Sequence, residues 1–407
     1  MHASIKSFSL VIICSILPVI EASAQIALSP YSIFGLGSIE ENSMGANKAM
    51  GGTGIAFSSK HSINFLNPAS YDGIDSLVTI YELGCYAQYS SSKSSNKSQV
   101  LFDANIKYLA MGFRIAPRIA TSFGITSYSK IGYNINVSSP IEGSPSLYNK
   151  TFSGEGGVNQ LYLGNSVKIT NNFVLGINAV YLFGTVSHSE TSDAFGYSFK
   201  NLTYLSNINI NYGLNYQIVN NRWKYTIGLI YNNGKTLTTK NETALKIDNE
   251  TETIKSRSST FKIPKDYGIG LSVSKDYFRL GIDYEMKKWK DVDFANPLLK
   301  TRNSNRLSLG VEFPSPGINR GTNRMMYYRF GAEYNGSYLI IDNIPINYRS
   351  VSFGTGIPVK GVLSVINLSL ELGQNGTKKG GLFKENFCTL HIDVSLKDYW
   401  FVKRKYD

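Results

Sequence analysis

Period-two alternation, recurring along most of the chain, is the feature that most narrows what it can fold into. Phe278-Arg279-Leu280-Gly281-Ile282-Asp283-Tyr284-Glu285 places an apolar residue at every second position and a charge or a glycine between them. Arg306-Leu307-Ser308-Leu309-Gly310-Val311-Glu312-Phe313 repeats the pattern, as does Leu390-His391-Ile392-Asp393-Val394-Ser395-Leu396-Lys397. Successive side chains of a strand point to opposite faces, so each segment builds one apolar and one polar face. In the last of them Leu390, Ile392, Val394 and Leu396 share the apolar face, with His391, Asp393 and Lys397 opposite. Read this way, the chain predicts fourteen strands: 77–90, 100–114, 118–137, 151–169, 173–187, 198–218, 222–237, 258–274, 277–288, 302–313, 325–340, 346–357, 361–373 and 387–400. Most are long enough to cross a bilayer at a tilt, which needs about nine to eleven residues.

The connections separate a membrane barrel from a soluble sandwich. Turns after even-numbered strands are mostly short, such as Ala116-Pro117, Thr170-Asn171-Asn172, Val219-Asn220-Asn221, Ser274-Lys275-Asp276 and Pro358-Val359-Lys360. Connections after odd-numbered strands tend to be longer and polar: 138–150, 188–197, 238–257, 289–301 and 374–386. The stretch 314–324 is long for its side. Short turns at one end and long loops at the other are the mark of an outer-membrane barrel, with the short end periplasmic. An even strand count also closes the sheet, leaving no backbone edge unpaired in hydrocarbon. Composition agrees, with 27 tyrosines, 21 phenylalanines, only 17% charged residues and a mean hydropathy of −0.13. A wall with lipid on one face and water or a plug on the other is greasy only on alternate residues. The last residues, from Tyr399-Trp400-Phe401 to Lys403-Arg404-Lys405, suit an interfacial girdle. The expected fold is therefore all-β, a 14-stranded antiparallel transmembrane β-barrel with an N-terminal plug in its lumen.

Residues 1–24 read as a cleavable export signal: Lys6, an apolar run 8–20, and the small-x-small site Ala22-Ser23-Ala24. Beyond it no stretch of 18 uncharged apolar residues offers a membrane helix. Losing Lys6 and Glu21 leaves the formal charge at +12. The basic balance suggests anionic surroundings, with membrane lipids and lipopolysaccharide as expected partners, and the scatter of the cations argues against a nucleic-acid surface. Cys85 and Cys388 are no disulfide framework; a single bridge needs them to be neighbours, which the sequence leaves open. No metal ligand set and no cofactor motif is present.

Residues 25–75 do not alternate. They hold Gly35, Gly37, Gly45, Gly51, Gly52 and Gly54, then Ser62-Ile63-Asn64-Phe65-Leu66-Asn67-Pro68-Ala69. No Gly-Lys-Ser/Thr follows the glycines, which excludes a phosphate loop. Dense glycine permits tight turns and close approach to a wall, and Asn before Pro supports a rigid turn. A wide barrel needs filling, so the segment is expected in the lumen. Gly51-Gly52-Thr53-Gly54-Ile55-Ala56 followed by Asn67-Pro68-Ala69, ahead of fourteen strands, resembles the FadL-type family of outer-membrane hydrophobic-compound transporters. The opening 28–37 and the ending 399–406 further resemble a subgroup found in Bacteroidetes. The resemblance implies a hatch over about 26–75, passive uptake of hydrophobic molecules such as long-chain fatty acids, and lateral exit at a kink in the third strand. Gly124 and Gly132 are the candidate kink positions. Phe34, Phe57, Phe65, Leu66, Asn67, Pro68 and Ala69 are the candidate ligand path and hatch residues, plug-to-wall packing being the competing role for each aromatic.

The loops depart from that family. Those at 90–98 and 238–243 are polar, and only 295–299, Ile341-Asp342-Asn343-Ile344-Pro345 and Leu382-Phe383 offer apolar surface. Two functions therefore stand: a channel for hydrophobic or amphipathic molecules, or a non-transporting barrel subunit of an outer-membrane secretion, assembly or nutrient-uptake complex with envelope protein partners. A general porin is a third, which a seated plug would prevent. An enzyme is not expected. His61, His188 and His391 form no ligand-spaced or triad arrangement, and His391 with Asp393 suits a solvated or salt-bridged lumenal pair.

Overall fold

The computed structural model describes residues 29–94, 98–140, 147–192, 194–247, 250–254, 258–292, 300–315, 326–359 and 364–400. The expected export signal, the apolar stretch 295–299, most of 314–324 and the terminal 401–407 lie outside these. Fourteen antiparallel wall strands follow in chain order. They are β1 Val78–Lys93, β2 Ser98–Ala116, β3 Ile119–Pro140, β4 Leu147–Lys168, β5 Phe173–Ser192 and β6 Tyr197–Asn220. The seventh, β7, runs in two pieces, Trp223–Asn232 and Lys235–Ile247, and β8 in three, Glu250–Ile254, Ser258–Ile263 and Asp266–Lys275. Then come β9 Phe278–Lys287, β10 in the pieces Lys300–Thr301 and Ser304–Pro314, β11 Tyr327–Ile341, β12 Ile344–Pro358, β13 Val365–Gly376 and β14 Lys384–Tyr399. The pairing of β14 with β1, from Lys384↔Lys93 to Tyr399↔Val78, closes the barrel. The fold class read from alternation is the one observed. Among the described residues no helix is long and apolar enough to cross a membrane.

The alternation also sets the faces. Leu280, Ile282 and Tyr284 are about two-fifths exposed on the outside, while Asp283 and Glu285 between them are buried inside. In β14, Leu390, Ile392 and Leu396 are outside and His391, Asp393 and Lys397 inside. Outward aromatics such as Trp223, Tyr225, Tyr277 and Tyr399 ring the short-turn end, where amphipathic rings suit the headgroup level. Cys85 stands opposite Ile392 and Cys388 opposite Tyr89, both thiols free. Four residues of register, about 13 Å at a strand's rise per residue, keep the two cysteines apart.

Strands β3 to β8 run longer than expected. The span 238–257, read as a loop, is largely hairpin, with Lys235–Ile247 paired to Glu250–Ile254 and Ser258–Ile263. Its Thr-rich sequence favours strands, but both faces are polar, so it carries no apolar alternation to read. Ile341–Pro345 is likewise tighter than a loop. Asp342 and Asn343, both at positive φ (49° and 62°), make a two-residue hairpin turn.

Residues 29–77 are enclosed by the wall and touch it all round. Gly45 N donates to Tyr108 Oη on β2 (2.8 Å), Tyr71 Oη to Asn178 on β5 (3.0 Å), and Gly51 N to Ser352 on β12 (2.8 Å). The wall makes room with glycine at inward positions. A Cβ on Gly331 would stand 2.0 Å from Gly51 N, and one on Gly176 2.2 Å from Ala69 N. These contacts lie near the short-turn end of the barrel.

Candidate functional site

Above the compact part of the N-terminal segment lies a cavity of about 300 Å³. Its upper lining is aromatic, with Tyr31, Trp289 and Tyr338; the rings of Trp289 and Tyr338 stack with centroids 4.3 Å apart. Its floor and sides are charged, with Glu40, Glu41 and Lys48 from the segment and Lys107, Lys130 and Arg306 from the wall. The cavity is thus amphipathic, not a continuous apolar channel.

The floor is an ion network fastening the segment to the wall. Arg306 of β10 pairs with Glu41, with Glu333 of β11 (3.0 Å) and with Glu285 of β9 (3.7 Å). Lys48 also pairs with Glu41. Burial alone would raise the Glu41 carboxyl, but Arg306 and Lys48 outweigh it and hold it far below the ordinary carboxylate range. Nearby, Asp283 accepts from the backbone N–H of Gly54 (2.6 Å) and of Ile55 (2.8 Å). Breaking one partner out of such a buried set costs several kcal/mol, because the remaining charge stays buried.

On one side the cavity reaches a seam in the wall. The β2–β3 ladder ends at Tyr108↔Thr126, although both strands continue. Each carries a bulge just beyond that pair, Lys107 on β2 and Tyr128 on β3. Bulges bend strands, and two at one level turn β3 inward: Ser129, Ile131 and Tyr133 are all buried. The freed edge of β3 pairs with the N-terminal segment, as Ser38↔Lys130 and Ile39↔Ser129. Ser29 N donates to Gly132 O (3.2 Å), and Glu40 N to Tyr128 O (2.9 Å). Side chains bridge the rest: Lys130 donates to Tyr86 Oη, which donates to Asp103. Glu40 faces Lys107 (3.6 Å) and Lys130 (3.8 Å).

The residues singled out from sequence are dispersed. Leu66 lines the cavity. Phe34 packs in the aromatic cluster of Tyr31 and Trp289, and Phe65 lies deep against Tyr162, ring centroids 4.5 Å apart. Phe57 sits under the Arg279 guanidinium on the short-turn side. Asn67, Pro68 and Ala69 form a cap and turn against the wall at Gly213 and Gly176. Gly124 lies in the still-paired part of β3, opposite Ala110 and Tyr162, and Gly132 beyond the bulge. The charged residues of cavity and seam were not singled out. The signals were Glu40-Glu41 and Lys48 inside a glycine-rich stretch, and charges at the polar positions of alternating strands. His391 turns to Glu371 (3.4 Å), whereas Asp393 accepts from Tyr108 Oη (2.6 Å), so the two make no pair.

The sequence model of the family described as BamG matches residues 4–407. No curated protein matches. Among solved structures the chain is similar to a Pseudomonas aeruginosa FadL homologue, at 12% identity and a TM-score of 0.60, covering 89% of this chain and 99% of that one. The toluene transporter TodX of Pseudomonas putida gives 15% identity and 0.59, with 89% and 99% covered. The toluene transporter TbuX of Ralstonia pickettii gives 15% and 0.58, with 88% and 99% covered. At these identities the likeness speaks to fold.

Proposed function

The chain belongs to the BamG family, and we propose that it is an outer-membrane barrel passing compact hydrophobic or amphipathic molecules sideways through its wall. The observation that carries this reading is the seam: the β2–β3 ladder stops at Tyr108↔Thr126, and the aromatic-roofed cavity extends to it. The route through the short-turn end would require breaking the Arg306 network, whereas the lateral route parts the Ser38–Ile39 pairing with its flanking Ser29 and Glu40 contacts and the Lys130–Tyr86–Asp103 bridge. The volume, at the low end for small-molecule sites, favours a compact molecule over a long acyl chain. The toluene transporters TodX and TbuX, which share this fold, support the same class. The test replaces Asp103 and Lys130 by cysteine and joins them with a short bismaleimide. Uptake of toluene into proteoliposomes should be lost on crosslinking, while either single cysteine leaves it intact. Uptake that survives crosslinking would reject the lateral route.

A second reading, a non-transporting subunit of an outer-membrane complex, is favoured by the charge on the cavity floor and by the fastened segment. Native mass spectrometry of the protein extracted from its own membrane separates the two. A monomer carrying a reproducible small-molecule mass supports uptake; a stoichiometric protein complex without one supports the subunit.

A further inference from the structure

The short-turn mouth, on the far side of the fastened segment from the cavity, carries a charge imbalance that neither reading uses. Three carboxylates there are each shared between two cations. Asp72 faces Arg114 (3.3 Å) and Lys168 (3.9 Å). Asp75 faces Lys60 (3.3 Å) and Lys397 (3.7 Å). Glu312 faces Arg279 and Arg329, both at 2.6 Å. Lys224, also on the inward face, makes no ion pair among the described residues. Among the described residues, these seven cations against three anions leave an excess of four positive charges around the mouth. The turn tips add to it, with Arg118, Arg222 and Lys275 against Asp276 and Asp398.

We propose that this mouth docks an acidic segment of a periplasmic protein. The wall cations alternate with outward residues such as Val167, Trp223, Tyr225 and Leu396, so they face the barrel axis and not the lipid. That geometry disfavours lipid headgroups. They also stand on strands spread round the circumference: β2, β4, β7, β9, β11 and β14. Fourteen strands at about 4.8 Å spacing and about 40° tilt make a cylinder of roughly 28 Å diameter. Charges so far apart cannot chelate one small anion but match a polyanion laid across the opening. A site ringed by one sign of charge over low-dielectric walls also focuses the field that steers such a partner. Lys60, on the enclosed segment and 70% exposed, stands in the middle of this field.

The test uses the full-length protein in a neutral detergent and a fluorescein-labelled deca-glutamate peptide, read by anisotropy. Saturable binding is expected, weakening on the order of tenfold between 50 and 200 mM salt. The double variant Lys60→Glu, Lys224→Glu should weaken it by a similar factor at low salt. Lys240→Glu with Lys262→Glu, at the opposite end, should not. Retained heat-modifiable migration on gels shows that each variant is folded. No binding, or equal loss from both double variants, would overturn the proposal. So would displacement of the peptide by stoichiometric orthophosphate, or by phosphatidylglycerol in nanodiscs, which would assign the mouth to a small anion or to lipid.

Discussion

At the scale of single residues, the charges of the lumen contribute more than its aromatics. Glu41 is the hinge of the floor network, because it answers both Arg306 and Lys48. Glu41→Ala leaves those cations short of an anion in a place water reaches poorly, at a cost of about 3–5 kcal/mol. That energy holds the segment to the wall, so the expected readout is local. Hydrogen exchange of the peptide 44–57 should quicken on the order of a hundredfold, while that of the wall strands is unchanged. Uniform exchange across the chain would show that Glu41 supports the whole barrel instead. Apolarity, the property a hydrophobic path needs, is what marks Phe34, Phe57, Phe65 and Leu66 in the sequence. Phe57 and Phe65 prove to be packed parts of the segment, one under Arg279 and one against Tyr162. What made Glu41, Lys107 or Lys130 hard to find is that each pairs across a large sequence separation, and no local spacing encodes such a partner.

At the scale of elements, the wall strands carry two instructions in one alternating string. Outward positions are apolar for lipid; inward positions are charged, polar or glycine according to what they meet. Gly331 and Gly176 fall where the segment's backbone touches the wall. Gly331→Val should push the segment off its seat without harming the strand, since valine suits a strand. The expected result is ion current in planar bilayers where the parent protein passes little. Ala332→Val, one residue on and facing out, should leave the current unchanged. If both variants stay closed, the segment has slack that the close contacts do not suggest. The bulges at Lys107 and Tyr128 belong to this scale as well. They part β2 from β3, yet the residues around them keep reading as strand, so the alternation predicted two whole strands and passed over the seam between them.

At the scale of the molecule, the wall and its filling are separable in energy but not in function. The wall satisfies most of its backbone by closure, β14 on β1, and takes pairing from the segment only along the freed edge of β3. Removing residues 29–74 should therefore leave a barrel that inserts and migrates as a folded species but conducts ions steadily. Failure to fold would instead make the segment part of the nucleus of assembly. The sequence by itself determined the fold class, the strand count and the facing of side chains. Each follows from a period-two pattern and from turn lengths, which are local and survive without knowledge of neighbours. Only the tertiary structure decided how the lumenal charges pair, that the ladder opens beyond Tyr108↔Thr126, and that Ser38–Ile39 closes it. Those features arise where residues far apart in sequence meet, and their energies depend on burial and pairing that a linear string does not carry.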